Sequence, residues 1–377
     1  MRKLYYVTRT YLPEKTGGVI VRTHTVELLK KYFSVEVITC QDGTSIQEDV
    51  DRIHPPGNLK LFNYLQRLGL LCDSLAPWAK VVANKYSKVI SENDIVFCTS
   101  GGDMGTLYVG YLLKLLTNCK YVVNLRDPSI YTKVNGLKID SKFHVSRERF
   151  ERKLLGTSDL IITSSLSNMK SLINKYPQLK KKIVNNYFGY IFNPKEIVNK
   201  TITKPHFVYG GRFGPLQSPE ILAEAFSKVD GIDVSFIGNY KLYKPLWKYT
   251  DRFKFIEHLP QDEYHILLNE KATVGLLSLS NDYLGACVPA KLFDYIGIGL
   301  PSFGLLPYGD AYDIINNNNF GRAVYYKENI EKIVAEIELM CDQTIVEKMQ
   351  NSLIAKYKMW SMDDYLFDEL LSYLNSI

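Results

Sequence analysis

The sequence predicts an α/β protein built as two doubly wound, parallel-sheet domains, and three observations carry that reading. Short runs rich in Val, Ile, Phe and Tyr alternate with helix-spaced apolar patterns along the whole chain, which implies parallel strands joined by crossover helices. The alternation restarts near residue 205, after a polar stretch of Asn, Lys and Pro. In both halves the first strand is followed by glycines and then by a helix, a junction where backbone N–H groups can come close to a ligand. At 377 residues the chain is long enough for two cores. The expected division is 1–195, 196–358 and a last helical segment, 359–377.

Composition narrows the function classes. Hydrophobic content of 46% and charged content of 23% exclude a disordered or fibrous chain. A net charge of +6 suits an anionic ligand or an anionic membrane surface, and the dense basic blocks of a nucleic-acid binder are missing. The six cysteines, Cys40, Cys72, Cys98, Cys119, Cys287 and Cys341, form no C-x-x-C, which predicts a reducing compartment and no zinc site. The apolar run at the N-terminus is too short for a signal peptide. No stretch reaches the roughly 18 apolar residues of a membrane span, so a cytoplasmic protein is expected.

In the first half, Leu4–Thr8 reads as a buried strand and Arg9–Thr16 as a loop. Gly17-Gly18 then stands before a helix marked by Val21, Thr25, Leu28, Leu29 and Tyr32, and Val35–Thr39 is the next strand. The paired glycines permit close approach to a ligand. They are not the G-x-G-x-x-G fingerprint, and such a pair is more often a simple turn than a site. Arg22 and His24 fall in the first helical turn, where a solvated face is the ordinary use. Between Leu59 and Ile90, leucines, Phe62 and Trp78 interleave with Lys60, Arg67, Lys80, Lys85 and Lys88. That pattern fits a helix pair that packs on its domain or lies on a membrane interface.

Ile95–Thr99 is a strand ending in Ser100-Gly-Gly-Asp103, and a helix follows around Leu107–Leu116. The strand Tyr121–Leu125 then runs into Arg126-Asp127-Pro128. Open α/β sheets bind ligands at the carboxyl ends of their strands, and the proline holds Asp127 extended. Asp127 is therefore a candidate site carboxylate; capping a turn or pairing with Arg126 are its other uses. A basic helix, Phe143–Leu155, the strand Leu160–Thr163, the helix Leu166–Tyr176 and the strand Ile183–Phe188 complete this half, and Gly189–Pro205 reads as a linker.

The second half restarts with the strand Phe207–Tyr209, the loop Gly210-Gly-Arg-Phe-Gly-Pro215 and the helix Pro219–Val229. Arg212 among those glycines is a permanently charged fork suited to a diphosphate. Strands follow at Asp233–Ile237, Phe253–Ile256 and Ala272–Leu279, with a helix at Asp262–Glu270. Next comes the most informative stretch, Cys287 to Pro301. Pro289 suits a first helical turn, and Gly297 and Gly299 read as stop residues. Lys291 and Asp294 then share one helix face at i,i+3. A helix N-terminus with a lysine in its first turn attracts phosphate, and a carboxylate one turn on can accept from sugar hydroxyls; a surface ion pair is the plainer reading. The strand Leu300–Leu305, the helix Ala311–Asn317, the strand Arg322–Tyr325 and a helical tail ending in Asp363–Leu374 complete the chain.

Taken in order, Pro13 to Gly18, Asn124-Leu-Arg-Asp-Pro128, Tyr209-Gly-Gly-Arg-Phe-Gly214, Pro289-Ala-Lys-Leu-Phe-Asp-Tyr295 and Gly297-x-Gly-Leu-Pro301 resemble GT-B glycosyltransferases of the large retaining family 4, in particular bacterial enzymes of surface-polysaccharide assembly. The resemblance spans essentially the whole chain. It implies two Rossmann-like domains facing an interdomain cleft, a nucleotide-sugar held mostly by the second domain, and a last helix crossing back to the first. By position, Arg212 and Lys291 match residues that bind the donor diphosphate, with Gly211 in the same turn as Arg212, and Asp294 matches the residue that binds the ribose. Gly17 and Gly18 match the loop that closes over the phosphates and donor sugar, and Asp127 falls where such enzymes place a polar group near the reacting centre.

Two departures accompany this resemblance. A second basic residue that many relatives carry is Gln217 here, so one phosphate contact is missing or comes from elsewhere, with Arg22 a candidate. The usual pair of glutamates eight apart is broken, because Ala286 stands eight before Asp294 and Asp282 is the only nearby carboxylate. The resemblance implies transfer of a sugar from a nucleoside-diphosphate sugar, a UDP-sugar, to a hydroxyl of a glycan or polyprenyl-linked acceptor, with retention. Arg212, Lys291 and Asp127 would form the catalytic group. The chain offers no Asp-x-Asp for a metal, so neither metal nor cofactor is expected. The expected location is the cytoplasm or the inner face of the cell membrane. A nucleotide-sugar 2-epimerase on the same scaffold and a non-catalytic nucleotide-sugar binder are the alternatives.

Overall fold

The computed structural model describes residues 1–14, 16–40, 48–71, 73–129, 142–192 and 204–377, excluding the side chains of 142–144. Cys72 and most of the expected linker lie outside the described residues. The chain forms two compact units, Met1–Phe188 with Phe367–Ile377, and Gly189–Leu366.

The first unit runs β1 (Lys3–Thr8), α1 (Gly17–Leu29), β2 (Ser34–Thr39), β3 (Val50–Arg52), α2 (Leu59–Arg67), α3 (Ala76–Tyr86), β4 (Ile95–Ser100), α4 (Gly105–Thr117), β5 (Lys120–Leu125), α5 (Lys142–Thr157), β6 (Leu160–Thr163), α6 (Leu166–Lys175) and β7 (Ile183–Asn185). Its seven strands form a parallel sheet in the order β3-β2-β1-β4-β5-β6-β7. With helices on both faces the central strands are buried on both sides, which is why β1 and β4 read as continuous apolar runs rather than alternating ones. α4 sits close on the sheet because Gly110 leaves room for the Tyr121 ring, whose hydroxyl donates to the Leu107 carbonyl at 2.7 Å.

The amphipathic pattern between Leu59 and Ile90 splits into two unlike helices. α3 packs conventionally, with Trp78 fully buried and its indole N–H on the Ile53 carbonyl at 2.8 Å. α2 buries none of its residues, and Leu61, Tyr64 and Leu68 at i, i+3 and i+7 stand exposed. The strand β3, which the sequence reading missed, is three residues of mixed polarity paired on the sheet edge. It is held there by Asp51, which accepts from the Tyr86 hydroxyl at 2.7 Å and pairs with Lys85 at 2.6 Å.

The second unit runs β8 (His206–Gly210), α7 (Pro219–Phe226), β9 (Asp233–Ile237), β10 (Lys254–Ile256), α8 (Gln261–Lys271), β11 (Val274–Ser278), α9 (Ala290–Ile298), β12 (Ser302–Leu306), α10 (Asp310–Asn317), β13 (Gly321–Tyr325), α11 (Ile330–Leu339) and α12 (Gln343–Lys356). Its six strands form a parallel sheet ordered β10-β9-β8-β11-β12-β13, around a core that includes Phe207, Phe226, Phe236 and Phe303. A π-helical turn over Met362–Leu366 precedes the last helix, α13 (Phe367–Asn375), so the helix expected from Asp363 begins later. α13 belongs to the first unit, where Glu369 accepts from Asn186 at 3.0 Å and the Phe367 ring lies 5.8 Å from that of Tyr32.

Two glycine readings change. Gly17 and Gly18 open α1 rather than precede it, which moves Arg22 into the second turn. Gly297 lies inside α9, because its missing Cβ admits the rings of Tyr190 and Phe192; Gly299, at φ +72°, is the residue that ends the helix.

Candidate functional site

In the second unit the sequence between β8 and α7 forms a braced shelf. Gly211, at φ +124°, donates its N–H to the Ile237 carbonyl at 2.9 Å, and Gly238, at φ +148°, packs directly on the Gly211 carbonyl and the Phe213 ring. From the other side, the end of β11 holds the loop. The Ser278 hydroxyl donates to the Gln217 carbonyl, the Ser280 hydroxyl donates to Pro215 O at 2.9 Å, and the Ser280 N–H donates to Leu216 O at 2.9 Å. The shelf ends at Ser218, in the left-handed region, and Pro219 then starts α7. Arg212 projects from this fixed backbone. It is exposed, and among the described residues its guanidinium has no ion-pair partner.

Lys291, the second residue of α9, reaches back to the same shelf. Its Nζ lies 3.8 Å from the centre of the Tyr209 ring, and a Cβ at Gly211 would stand only 3.4 Å from it. Tyr209 is fully buried and its hydroxyl donates to the Arg212 carbonyl at 3.1 Å, so one ring supports the lysine and fixes the backbone of the arginine. The Tyr209–Lys291 contact is a cation–π arrangement in a nearly dry setting. Beneath it, Gly210 lacks the Cβ that would strike the Tyr264 ring. The Tyr264 and Tyr295 hydroxyls lie 3.2 Å apart, and Tyr295 donates to Leu276 O at 3.1 Å. In the sequence Tyr209 and Tyr295 only stand at the ends of motifs and Tyr264 carries no signal; their mutual support is visible only in the fold.

Asp294 follows one turn after Lys291, but the two form no ion pair within 4.0 Å among the described residues; the nearest ionisable partner of Asp294 is His265, whose Nε2 lies 3.9 Å away. Burial pushes the Lys291 ammonium down to about 7, with the Asp294 charge opposing the shift. Burial likewise pushes the Asp294 carboxyl up to about 7, opposed by Lys291. Both residues nonetheless keep some exposed surface, 23% for the Asp294 side chain, so their charged ends remain open to a ligand. His265 is shifted down by burial, lies tilted with its ring centre 4.4 Å from that of Phe192, and leaves Nε2 buried without a hydrogen bond. The site thus holds a desolvated cation and an acid next to a loop from which an exposed guanidinium projects, an arrangement that an anion with attached hydroxyls would complete.

The departures noted in the sequence have structural counterparts. Gln217 lends its backbone carbonyl to the brace of the shelf. Asp282 is exposed and engaged elsewhere, on Lys327 at 2.7 Å and the Tyr325 hydroxyl at 2.9 Å. The hydrogen bond from Lys327 lowers its pKa.

In the first unit, Gly17 and Gly18 form the uncapped start of α1. Thr16 supplies no side-chain cap, and the first turn carries no acidic residue. The Arg22 guanidinium lies over Gly18, 3.6 Å from where a Cβ would be. Asp127 stands at the carboxyl end of β5 with Oδ2 3.7 Å from the Cβ position of Gly101. Among the described residues it neither pairs with Arg126 nor caps a turn.

No protein-family profile matches the chain. No curated protein matches it by sequence. Solved structures do. HepE of Anabaena in complex with UDP-glucose is 12% identical with a TM-score of 0.71, covering 100% of both chains. Sucrose-phosphate synthase of Thermosynechococcus elongatus is 13% identical with a TM-score of 0.73, covering 100% of this chain and 99% of its own. WaaG, a glycosyltransferase involved in lipopolysaccharide biosynthesis, is 12% identical with a TM-score of 0.68, covering 97% and 98%. The matches run over essentially whole chains, and at these identities it is the architecture that is shared: this chain, with its two parallel α/β sheets, has the GT-B glycosyltransferase fold.

Proposed function

We propose that the protein is a glycosyltransferase that moves a sugar from a UDP-sugar to a hydroxyl of a glycan or polyprenyl-linked acceptor in surface-polysaccharide assembly, with retention and without a metal or cofactor. The observation that carries the reading is the desolvated Lys291 ammonium held over Tyr209 against Gly211, on the shelf that presents Arg212.

The reaction breaks the bond between the anomeric carbon and the β-phosphate oxygen, and its electron pair stays on that oxygen. Arg212, Lys291 and the α9 N-terminus are preorganised cationic groups for the charge that develops there. Asp294 accepts from the ribose hydroxyls, and Gly17 and Gly18 offer backbone N–H groups to the phosphates. The acceptor oxygen bonds to the anomeric carbon and its proton passes to the departing phosphate, with Asp127 orienting the acceptor. The Anabaena neighbour, crystallised with UDP-glucose, supports a UDP-sugar as donor. Attachment to the inner face of the membrane is supported by α2 with its unburied leucines. Among the described residues no helix is long and apolar enough to cross a membrane.

The test is Lys291→Ala. Loss of one transition-state donor should lower kcat/KM about 10²–10³-fold; unchanged turnover would remove the assignment. A second reading, a nucleotide-sugar binder without turnover, is favoured by Ala286 and by the engagement of Asp282 with Lys327. UDP binding with no sugar transfer or hydrolysis would select it.

A further inference from the structure

The first unit carries a cationic cluster that the catalytic assignment leaves unused. Arg22 projects from the second turn of α1 and Arg126 follows β5, so both stand at the carboxyl edge of the sheet, where β1 and β5 flank β4. Arg22 donates to the Thr10 hydroxyl at 2.5 Å, while its Nε is buried without a partner, as is the Thr23 hydroxyl one residue on. The Arg126 guanidinium lies 4.7 Å from the centre of the Phe188 ring, and among the described residues it makes no side-chain hydrogen bond or ion pair. Burial, with the Arg22 charge acting in the same sense, lowers the Arg126 pKa to about 10. Both arginine charges also act on the buried Tyr6 hydroxyl, opposing the upward push of its burial.

Carboxylates of this edge do not settle the account. Asp73 is committed to Arg147 at 3.4 Å and the Met104 N–H at 2.8 Å, and Asp103, pushed up by burial, accepts from Thr106 at 3.2 Å. Asp127 alone acts on Arg126, without pairing. Two partly buried cations against one carboxylate leave a net positive charge here, and the orphaned Arg22 Nε adds an unmet donor that an anion would satisfy.

We propose that Arg22 and Arg126 form an anion subsite of the first unit that receives a phosphate ester. Guanidinium forks match phosphate oxygens bidentately, and the side-chain-free, uncapped start of α1 adjoins Arg22 with N–H groups of the same preference. The phosphate comes either from a nucleoside diphosphate or from the phosphate that links an acceptor to its lipid. Neither source requires turnover, so the subsite stands or falls apart from the transferase reading.

The experiment measures binding of UDP, farnesyl phosphate and inorganic pyrophosphate by calorimetry to the full chain, wild type, Arg126→Met and Arg22→Met, with Arg126→Lys as the charge-conserving control. Removing a charge-assisted contact should weaken one phosphate probe at least about tenfold in both Met variants, with partial rescue in the Lys variant. Weakening confined to UDP assigns the nucleotide phosphate, and weakening confined to farnesyl phosphate assigns the lipid phosphate. Binding of all three probes within about twofold of wild type in both Met variants overturns the proposal, since a lost charged contact should cost more.

Discussion

Donor binding should consume a proton, and Lys291 sets where. In the free protein burial holds its ammonium down to about 7, so above neutrality it is mostly uncharged. A diphosphate beside Nζ favours the charged form and moves the pKa back up. The sign follows: affinity for a UDP-sugar is full below pH 7 and is lost as pH rises, about tenfold per unit, or about 50-fold between pH 7 and 9. A nucleotide-sugar suits the assay because its diphosphate diester has no titrating proton in this range. Calorimetry at pH 7 in two buffers of different ionisation enthalpy should show uptake of about half a proton per donor bound. Lys291→Arg, which cannot titrate, should flatten the profile. Asp294→Asn separates the contribution of the acid, which burial holds up at about 7. Wild-type affinity that stays flat from pH 6 to 9, with no buffer-dependent heat, would refute the reasoning.

Three further outcomes are expected. Arg212→Ala should lower kcat/KM about 10²-fold while leaving stability within about 0.5 kcal/mol, because the side chain is exposed and unpaired among the described residues. Gly238→Ala, facing the Gly211 carbonyl at φ +148°, should cost about 1–3 kcal/mol or more by urea unfolding, whereas Gly231→Ala, at φ +74° in open space, should cost about 1 kcal/mol. Leu61→Glu with Leu68→Glu should cut co-sedimentation with anionic phospholipid vesicles about tenfold or more without lowering the melting temperature, since α2 buries nothing on its own unit.

The fold was legible because parallel strands and crossover helices punctuate themselves. Pro289 and Gly299 bracket α9, and the loop glycines mark the carboxyl ends of β8 and β9. Lys291 and Arg212 could be singled out because charge at a helix start and among glycines has a local meaning. What sequence could not supply depends on distant partners. Gly297 reads as a stop until Tyr190 and Phe192 are seen to fill its space. Tyr209, Tyr264 and Tyr295 form one support only after two strands, β8 and β11, and two helices, α8 and α9, meet. α2 and α3 share one amphipathic pattern, and only packing shows that Trp78 is buried while Leu61 is not. β3 was missed because three residues of mixed polarity carry no periodicity.

The most direct measurement is thermal stabilisation of the wild-type chain, Lys291→Met and Arg212→Ala by a panel of nucleotide-sugars. A UDP-sugar at 100 times its Kd should stabilise the wild type by about 2.7 kcal/mol and each variant far less. Stabilisation by no UDP-sugar, or stabilisation undiminished in both variants, would contradict the assignment of Lys291 and Arg212 to the donor diphosphate.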